Sequence, residues 1–171
     1  MRVTSFALIL AGCSNAASPA VDAFAGIVDA PPETPATADA PAASRILVIN
    51  EVAAGETPDW FEVVNATTAP VELSQFVFVD TAGDFVKARP FAAMTLAPGA
   101  RFVQDVDDVT AGFKLASDEE LWVYRASDHA LSDGVDWAEG ASPAGSSYAR
   151  IPDTFGAFQT TTTPTKNLPN Q

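Results

Sequence analysis

Short runs of β-branched and aromatic residues follow one another along the chain after Arg45, separated by glycine, proline, asparagine and aspartate. No segment in this part shows a sustained 3.6-residue apolar repeat. Such closely spaced short runs are typical of an all-β sandwich or barrel. The pattern predicts seven strands, at residues 46–53, 60–65, 71–80, 100–104, 120–125, 135–137 and 147–151.

The order of side chains within these runs indicates how the strands face the core. Apolar and polar residues alternate over 71–74, as in a sheet with one solvated face. The run 76–79 is apolar on both faces, which favours a more central position. Ala-Pro-Gly at 97–99 predicts a type II turn, because proline fixes φ and glycine accepts positive φ, and 82–84 predicts a hairpin connection.

The first 44 residues have a different composition. Residues 1–12 begin with Met1 and Arg2 and continue as a mostly apolar stretch, which indicates a short signal segment. Residues 13–44 are rich in alanine and proline and poor in large apolar side chains, so they are predicted to form a disordered linker. No apolar run is long enough for a membrane-spanning helix. We therefore expect a folded domain at 45–171.

The single cysteine, Cys13, ends the quartet Leu-Ala-Gly-Cys at positions 10–13. This quartet resembles the lipobox of bacterial lipoproteins. The resemblance implies cleavage before Cys13, lipid on its thiol, and a lipid-anchored location in the bacterial cell envelope, on the outer membrane facing the periplasm or at the surface. Several acyl chains would make such an anchor stable. A buried structural cysteine is the alternative.

Several short segments after residue 45 occur in a defined order and spacing: 48–52, 59–65, 71–74, 96–99, 112–115, 120–124, 132–137, 147–153, 163–165 and Asn170. Together they resemble the lamin-tail domain, an immunoglobulin-like β-sandwich found in nuclear lamins and in many secreted bacterial proteins. The family often has glycine and tryptophan where this chain has Gln75 and Phe76, and Pro-Gly where it has Lys166 and Asn167. The resemblance implies an immunoglobulin-like β-sandwich over nearly all of 46–170.

Charge and cysteine content exclude several classes of function. The chain has 22 acidic and 9 basic side chains and a formal net charge of -13, so its field repels phosphate backbones, and we expect no nucleic-acid partner. One cysteine cannot form an intramolecular disulfide or a zinc site made of several cysteines.

Catalytic and metal-binding signals are weak. The only histidine, His129, lies in a sequence typical of an exposed turn, and its neighbours Ser132 and Asp133 do not make a triad by adjacency alone. The chain is therefore expected not to be an enzyme and to need no cofactor. Asp105, Asp107 and Asp108 are weak calcium candidates, because the spacing of a calcium-binding EF-hand loop fails at this point, and a solvated acidic loop is favoured.

Polar residues at strand ends form a possible structural cluster of Glu51, Glu62, Asn65 and Arg150. The first three match positions characteristic of the resembled family. Such groups cap backbone donors or pair with a cation such as Arg150, and that structural role is favoured over a binding site. Three tryptophans could form an exposed platform for a sugar or peptide, but core packing is favoured for at least two of them, from the set Trp60, Trp122 and Trp137.

The sequence thus predicts a non-enzymatic, lipid-anchored binding or interaction module at the surface or in the periplasm, with an unknown protein or glycan ligand. Two alternatives stay open. One is an accessory domain that recruits or positions a secreted hydrolase, and the other is a calcium-dependent adhesin.

Overall fold

The structure is a computed structural model that describes residues 45–107, 109 and 111–171. The predicted signal segment at 1–12, the predicted linker at 13–44 with Cys13, and Asp108 lie outside the described residues. Within the described part of the chain, no helix is long and apolar enough to cross a membrane.

The described residues form antiparallel β-strands joined by turns, with one 3₁₀ turn at Leu73–Gln75. In chain order the strands are β1 Leu47–Ala53, β2 Asp59–Asn65, β3 Val71–Glu72, β4 Phe76–Val79, β5 Arg89–Pro90, β6 Thr95–Leu96, β7 Arg101–Val106, β8 Glu119–Arg125, β9 Leu131–Trp137, β10 Ser147–Ile151 and β11 Ala157–Thr161.

Two larger sheets pack face to face. One has five strands in the order β11-β10-β1-β2-β7, the other has four in the order β5-β4-β8-β9, and β3 pairs with β6 in a small third sheet. Both large sheets contribute to one apolar core, through Leu47, Ile49, Phe61 and Val63 on one side and Phe76, Phe78, Leu121, Val123 and Val135 on the other. The prediction of an all-β sandwich is confirmed.

Phenylalanine rings occupy the centre of this core. The ring of Phe78 lies 5.2 Å from that of Phe61, 5.0 Å from Phe91 and 6.1 Å from Phe113, measured between centroids. Two of the three pairs are edge-to-face, the arrangement that ring quadrupoles favour. Phe78, on β4 of the four-stranded sheet, therefore contacts Phe61 on β2 of the five-stranded sheet.

A second apolar cluster covers the other face of the four-stranded sheet. It contains Val79, Trp122 and Tyr124, with Phe85 packed against them. A Cβ at Gly134 would lie 2.3 Å from the ring of Trp122, so the glycine makes room for the indole on the neighbouring strand. Strand β4 is apolar on both faces for this reason, as its sequence predicts.

The predicted strand at 71–80 is wrong as one element. The backbone turns through Leu73–Gln75, so that β3 pairs with β6 whereas β4 pairs with β5 and β8. The alternation of buried and exposed side chains over 71–74 persists through this turn, which is why the pattern looked like a continuous strand. The turn predicted at 97–99 is confirmed, with Gly99 at φ 70° and a hydrogen bond from Ala100 N to Ala97 O.

Other strand bounds also differ from the prediction. Strand β9 begins at Leu131 rather than at residue 135, because Leu131 and Asp133 continue the pairing with β8 around a register shift at Ser132. Strands β5, β6 and β11 were not predicted. The first two have only two residues each, and β11 is mostly polar, so neither length nor apolar alternation identifies them.

Candidate functional site

A β-bulge in β1 places two acidic side chains opposite each other. The register between β1 and β2 shifts between Ile49 and Glu51, which makes Asn50 the extra residue, and Glu51 then pairs with Glu62. Because Phe61 points into the core, its neighbour Glu62 lies on the opposite face of the five-stranded sheet, together with Glu51. Both carboxyl groups are nevertheless fully buried.

The chain end covers this acidic pair. We call residues 165–170 the C-terminal strap. The backbone N–H of Asn167 donates to Glu62 Oε2 at 2.7 Å, and that of Thr165 donates to Glu51 Oε1 at 3.0 Å. The side-chain amide of Asn170 donates to the carbonyl of Asn50 at 2.9 Å. The strap thus supplies the donors that water would otherwise provide.

Burial dominates the electrostatics of Glu62. It raises the pKa of this carboxyl group to about 7, although Asn50 Nδ2 donates to Oε1 at 2.9 Å and Arg101 Nε lies 3.3 Å from the same oxygen. The folded chain therefore keeps a proton between about pH 4.5 and 7 that the unfolded chain releases. This contribution to stability is fully present below pH 4.5 and is lost as the pH rises through 7.

Arg150 belongs to a different contact. Its guanidinium group, 1% exposed, donates to Asp133 Oδ2 at 3.1 Å and to the carbonyl of Ile49 at 2.9 Å, and it lies 4.4 Å above the ring of Phe158. Asp133 also accepts from the N–H of Ile49 at 2.9 Å and lies 3.3 Å from Arg45 Nε. This pair ties β9 of one sheet to β1 and β10 of the other.

The suggestion that Arg150 is the cation partner of the family-like carboxylates is therefore corrected. Ala149 is the residue opposite Glu51, and successive side chains of a strand point to opposite faces, so Arg150 points away from Glu51. Arg101 on β7 takes this position. It contacts Glu62 and makes an ion pair with Asp153.

Asn65 stabilises its own loop. Its amide donates to the carbonyls of Ala69 at 2.8 Å and Leu96 at 2.9 Å, and its Oδ1 accepts from the N–H of Thr67 at 2.9 Å. Of the four polar residues predicted as a cluster, the structure brings Glu51 and Glu62 together. Asn65 and Arg150 stabilise separate contacts.

Several important polar residues were missed at the sequence level: Asn50, Arg101, Asp133, Asp153, Thr165 and Ser147, whose hydroxyl donates to Glu51. Asn50 is recognisable as a polar residue inside an apolar run, but a bulge cannot be located without the partner strand. The others lie between 17 residues (Asp133 to Arg150) and 114 residues (Thr165 to Glu51) from their partners along the chain. The local pattern of apolar and polar residues does not indicate which distant residues pair.

The predicted calcium candidates have protein partners. Asp105 forms an ion pair with Lys166 at 3.0 Å, and Asp107 Oδ1 accepts from the N–H of Val109 at 2.8 Å. Among the residues described by the structure, no group of His, Cys, Asp and Glu side chains is arranged to hold a metal ion. Asp108 lies outside that part.

The predicted turn histidine is exposed, as expected. His129 has φ 56°, and its ring stacks on Phe85 with the centroids 3.7 Å apart. Ser132 is buried, and its hydroxyl donates to the carbonyl of Leu47 and accepts from the N–H of the same residue. Ser132 therefore holds the start of β1 in place.

The three tryptophans are all buried, which confirms core packing for at least two of them. Trp137 lies in the main core and donates from Nε1 to the carbonyl of Ala116 at 3.0 Å, and Trp122 lies in the second cluster. Trp60 lies near the strap, with Lys166 Nζ 5.2 Å from its ring centroid.

A cleft of about 610 Å³ opens between the β1–β2 connection and the β7–β8 connection. Its volume falls in the range of about 300–1,000 Å³ typical of ligand pockets. Apolar and charged side chains both line it, with Ala54, Pro58, Val106 and Leu115 among the apolar residues and Glu56, Asp59, Asp107 and Lys114 as the charged ones. Burial raises the pKa of Asp59, partly offset by a hydrogen bond from Leu115 N.

Comparison of the chain with protein-family models, with curated proteins and with solved structures finds no match. The resemblance to the lamin-tail domain therefore stays a prediction from the sequence. Any function has to be derived from the geometry of the cleft and of the polar groups around it.

Proposed function

We propose that the protein is a non-enzymatic, lipid-anchored interaction module of the bacterial cell envelope, which binds basic side chains of a partner protein in the cleft at the end of its sandwich. The observation that carries the proposal is the charge of that cleft. Three carboxyl groups, of Glu56, Asp59 and Asp107, line it beside one ammonium group, of Lys114.

The shape and chemistry of the cleft suit a lysine or arginine side chain. Such side chains place an aliphatic stem against apolar surface and keep the charged head beside polar groups. Val106 and Leu115 are buried and provide apolar surface, while Glu56 and Asp107 are partly exposed. The net charge of -13 adds a long-range attraction for a basic partner.

The burial of the other acidic groups supports a binding role over a catalytic one. Glu51, Glu62 and Asp133 are fully buried, and they are occupied by donors from the strands and the chain end. A general acid or base must come within hydrogen-bond distance of its substrate. Loops at the end of a rigid sandwich, such as those that form the cleft, commonly carry ligand recognition.

Binding in the cleft can be tested with hexalysine as the probe. We expect amide shifts of residues around Leu115 during an NMR titration, and weaker binding at higher salt. Glu56→Gln should weaken binding about two- to fivefold and Lys114→Gln should strengthen it by a similar factor, because each removes one unit of charge from the cleft. Asp84→Asn, in the β4–β5 connection, is the matched control and should change binding little. Equal affinities for all four proteins would contradict the proposal.

The anchor can be tested on the mature protein from a bacterial host. Mass spectrometry should find a chain that begins at Cys13 and carries a diacylglyceryl group and an acyl chain. Cys13→Ser should move the protein from the membrane fraction to the soluble fraction, because the thioether cannot form. A mature chain that keeps Met1 and an unmodified thiol would exclude lipid anchoring.

A further inference from the structure

A large aromatic side chain is exposed in the connection between β10 and β11. Phe155 has 85% of its surface exposed, whereas every other phenylalanine, tyrosine and tryptophan of the described residues is buried or half-buried. Single exposed apolar residues are common at protein surfaces. The turn and the surface around Phe155 set it apart from such residues.

Buried polar groups hold the backbone of this turn in place. The N–H of Thr154 donates to Asn50 Oδ1 at 2.8 Å. Asp153 Oδ1 accepts from Asn50 Nδ2 at 3.0 Å and from the N–H of Asn170 at 2.9 Å. Thr154 has a φ of 67°, which a β-branched residue adopts only where the surrounding contacts enforce it. The turn therefore presents the ring of Phe155 to solvent on a fixed backbone.

Phe155 lies at the end of the sandwich where the chain enters the domain. At this end of the five-stranded sheet β1 and β7 begin and β2 and β10 end. Three connections lie here, at 66–70, 97–100 and 152–156, beside the entry of the chain through Arg45. We call them the tether end. The cleft lies at the opposite end, the cleft end, where β1 ends and β2 begins.

The two ends differ in charge. The three connections of the tether end contain one charged residue, Asp153, and it is paired with Arg101. Their other residues are alanine, threonine, proline, glycine and Phe155, and most of them are exposed. The connections of the cleft end, at 54–58, 107–118 and 138–146, contain five acidic residues and one lysine: Glu56, Asp107, Asp108, Asp118, Glu139 and Lys114. A lipid surface with anionic headgroups therefore repels the cleft end and not the tether end.

We infer that Phe155 inserts into the headgroup region of the bilayer that carries the anchor, so that the tether end rests on the lipid surface and the cleft faces away from it. This inference rests on the proposed function, which places the lipid on Cys13. Phenylalanine is among the residues that peripheral proteins bury at the boundary between headgroups and acyl chains. In this orientation the cleft is open to a basic partner protein.

The tether explains why one ring is enough. A single side chain binds a bilayer too weakly to recruit a free protein, but an anchored chain makes its insertion an intramolecular step. Residues 14–44 separate Cys13 from Arg45. A linker of this length has a root-mean-square end-to-end distance of about 30 Å, so the domain stays close to the bilayer. The high local concentration of lipid then favours a weak second contact.

Fluorescence quenching can detect the insertion. The full-length Phe155→Trp protein is coupled through the thiol of Cys13 to a maleimide lipid, in vesicles of phosphatidylethanolamine and phosphatidylglycerol with brominated acyl chains. We expect quenching of the new tryptophan, and a shift of its emission to shorter wavelength relative to vesicle-free protein. The three natural tryptophans are buried, so they add a constant background.

Val109→Trp is the matched control for the quenching experiment. Val109 follows the end of β7 at the cleft end and has 92% of its surface exposed, so it is an equally exposed apolar position. The new tryptophan should be quenched little on the same vesicles. The inference is overturned if the Phe155→Trp protein is not quenched, or if both variants are quenched equally.

A weaker anchor measures the contribution of the ring. One acyl chain on Cys13 gives only marginal, reversible membrane binding, so a second contact changes the bound fraction. Phe155→Ser should lower the vesicle partition coefficient of the singly acylated full-length protein about five- to tenfold, because the buried apolar surface is lost. Val109→Ser should leave it unchanged. Equal partition of the Phe155→Ser protein and the parent would contradict insertion.

These experiments are independent of the proposed anchor. The lipid is attached chemically, so the results are the same whether or not the cell lipidates Cys13. A mature chain with an unmodified thiol would exclude the anchor, whereas an unquenched Phe155→Trp protein would exclude the membrane contact alone.

Discussion

Replacing Asp133 by alanine should lower the free energy of unfolding by about 3–5 kcal/mol, a large part of the stability of a domain of this size. The change removes the carboxylate that accepts from Arg150 and from the N–H of Ile49, and it leaves a guanidinium group buried without its ion partner. Urea unfolding at pH 7, followed by tryptophan fluorescence, measures the loss. The fluorescence reports it directly because all three tryptophans are buried.

The matched control is an exposed ion pair of the same chemistry. Asp128→Ala breaks the pair with Arg125, in which both side chains are about half exposed, and it should leave the urea midpoint nearly unchanged. A double variant, Asp133→Ala with Arg150→Met, should recover part of the stability, because no charge is then stranded in the interior. If Asp133→Ala and Asp128→Ala lowered the free energy of unfolding by the same amount, the buried pair would not be joining the sheets.

Replacing Phe78 by alanine should cost about 3–5 kcal/mol, because it removes a ring that packs against three others and leaves a cavity between the sheets. The rigid strands on both sides limit how far the core can collapse into the space. Thermal unfolding by circular dichroism in the β-sheet region would record a lower midpoint.

Phe155→Ala is the control for the Phe78 variant. Phe155 lies in the β10–β11 turn with 85% of its surface exposed, so the same substitution should change the free energy of unfolding by less than about 0.5 kcal/mol. The central position assigned to Phe78 would be refuted if the two variants unfolded at the same temperature.

Polar side chains inside this sandwich join elements that are far apart in the chain. Asp133 and Arg150 tie the two sheets together, and Glu51 and Glu62 bind the strap to the outer face of one of them. Glu51 and Glu62 are the two of these residues for which the resemblance to the lamin-tail domain would suggest a site. Their burial instead directs the search for a ligand to the end cleft.

Features that depend on residues close together in the chain could be predicted from the sequence, whereas features that depend on a distant partner strand could not. Strand β10 was predicted with its bounds, and Phe76–Val79 was predicted to be apolar on both faces, because burial on each side leaves a local mark in the sequence. The bulge at Asn50 and the two-residue strands β5 and β6 have no such local pattern in the sequence. Each exists because of the strand beside it.

The sequence by itself determined the fold class, because alternation, β-branched and aromatic runs and turn residues act over a few positions and all favour strands. It also determined the strong negative charge. Only the tertiary structure decided which polar groups meet: Arg101 rather than Arg150 beside Glu62, and Thr165 on Glu51 from 114 residues away. Strand register sets these partners, and register depends on the packing of both sheets together.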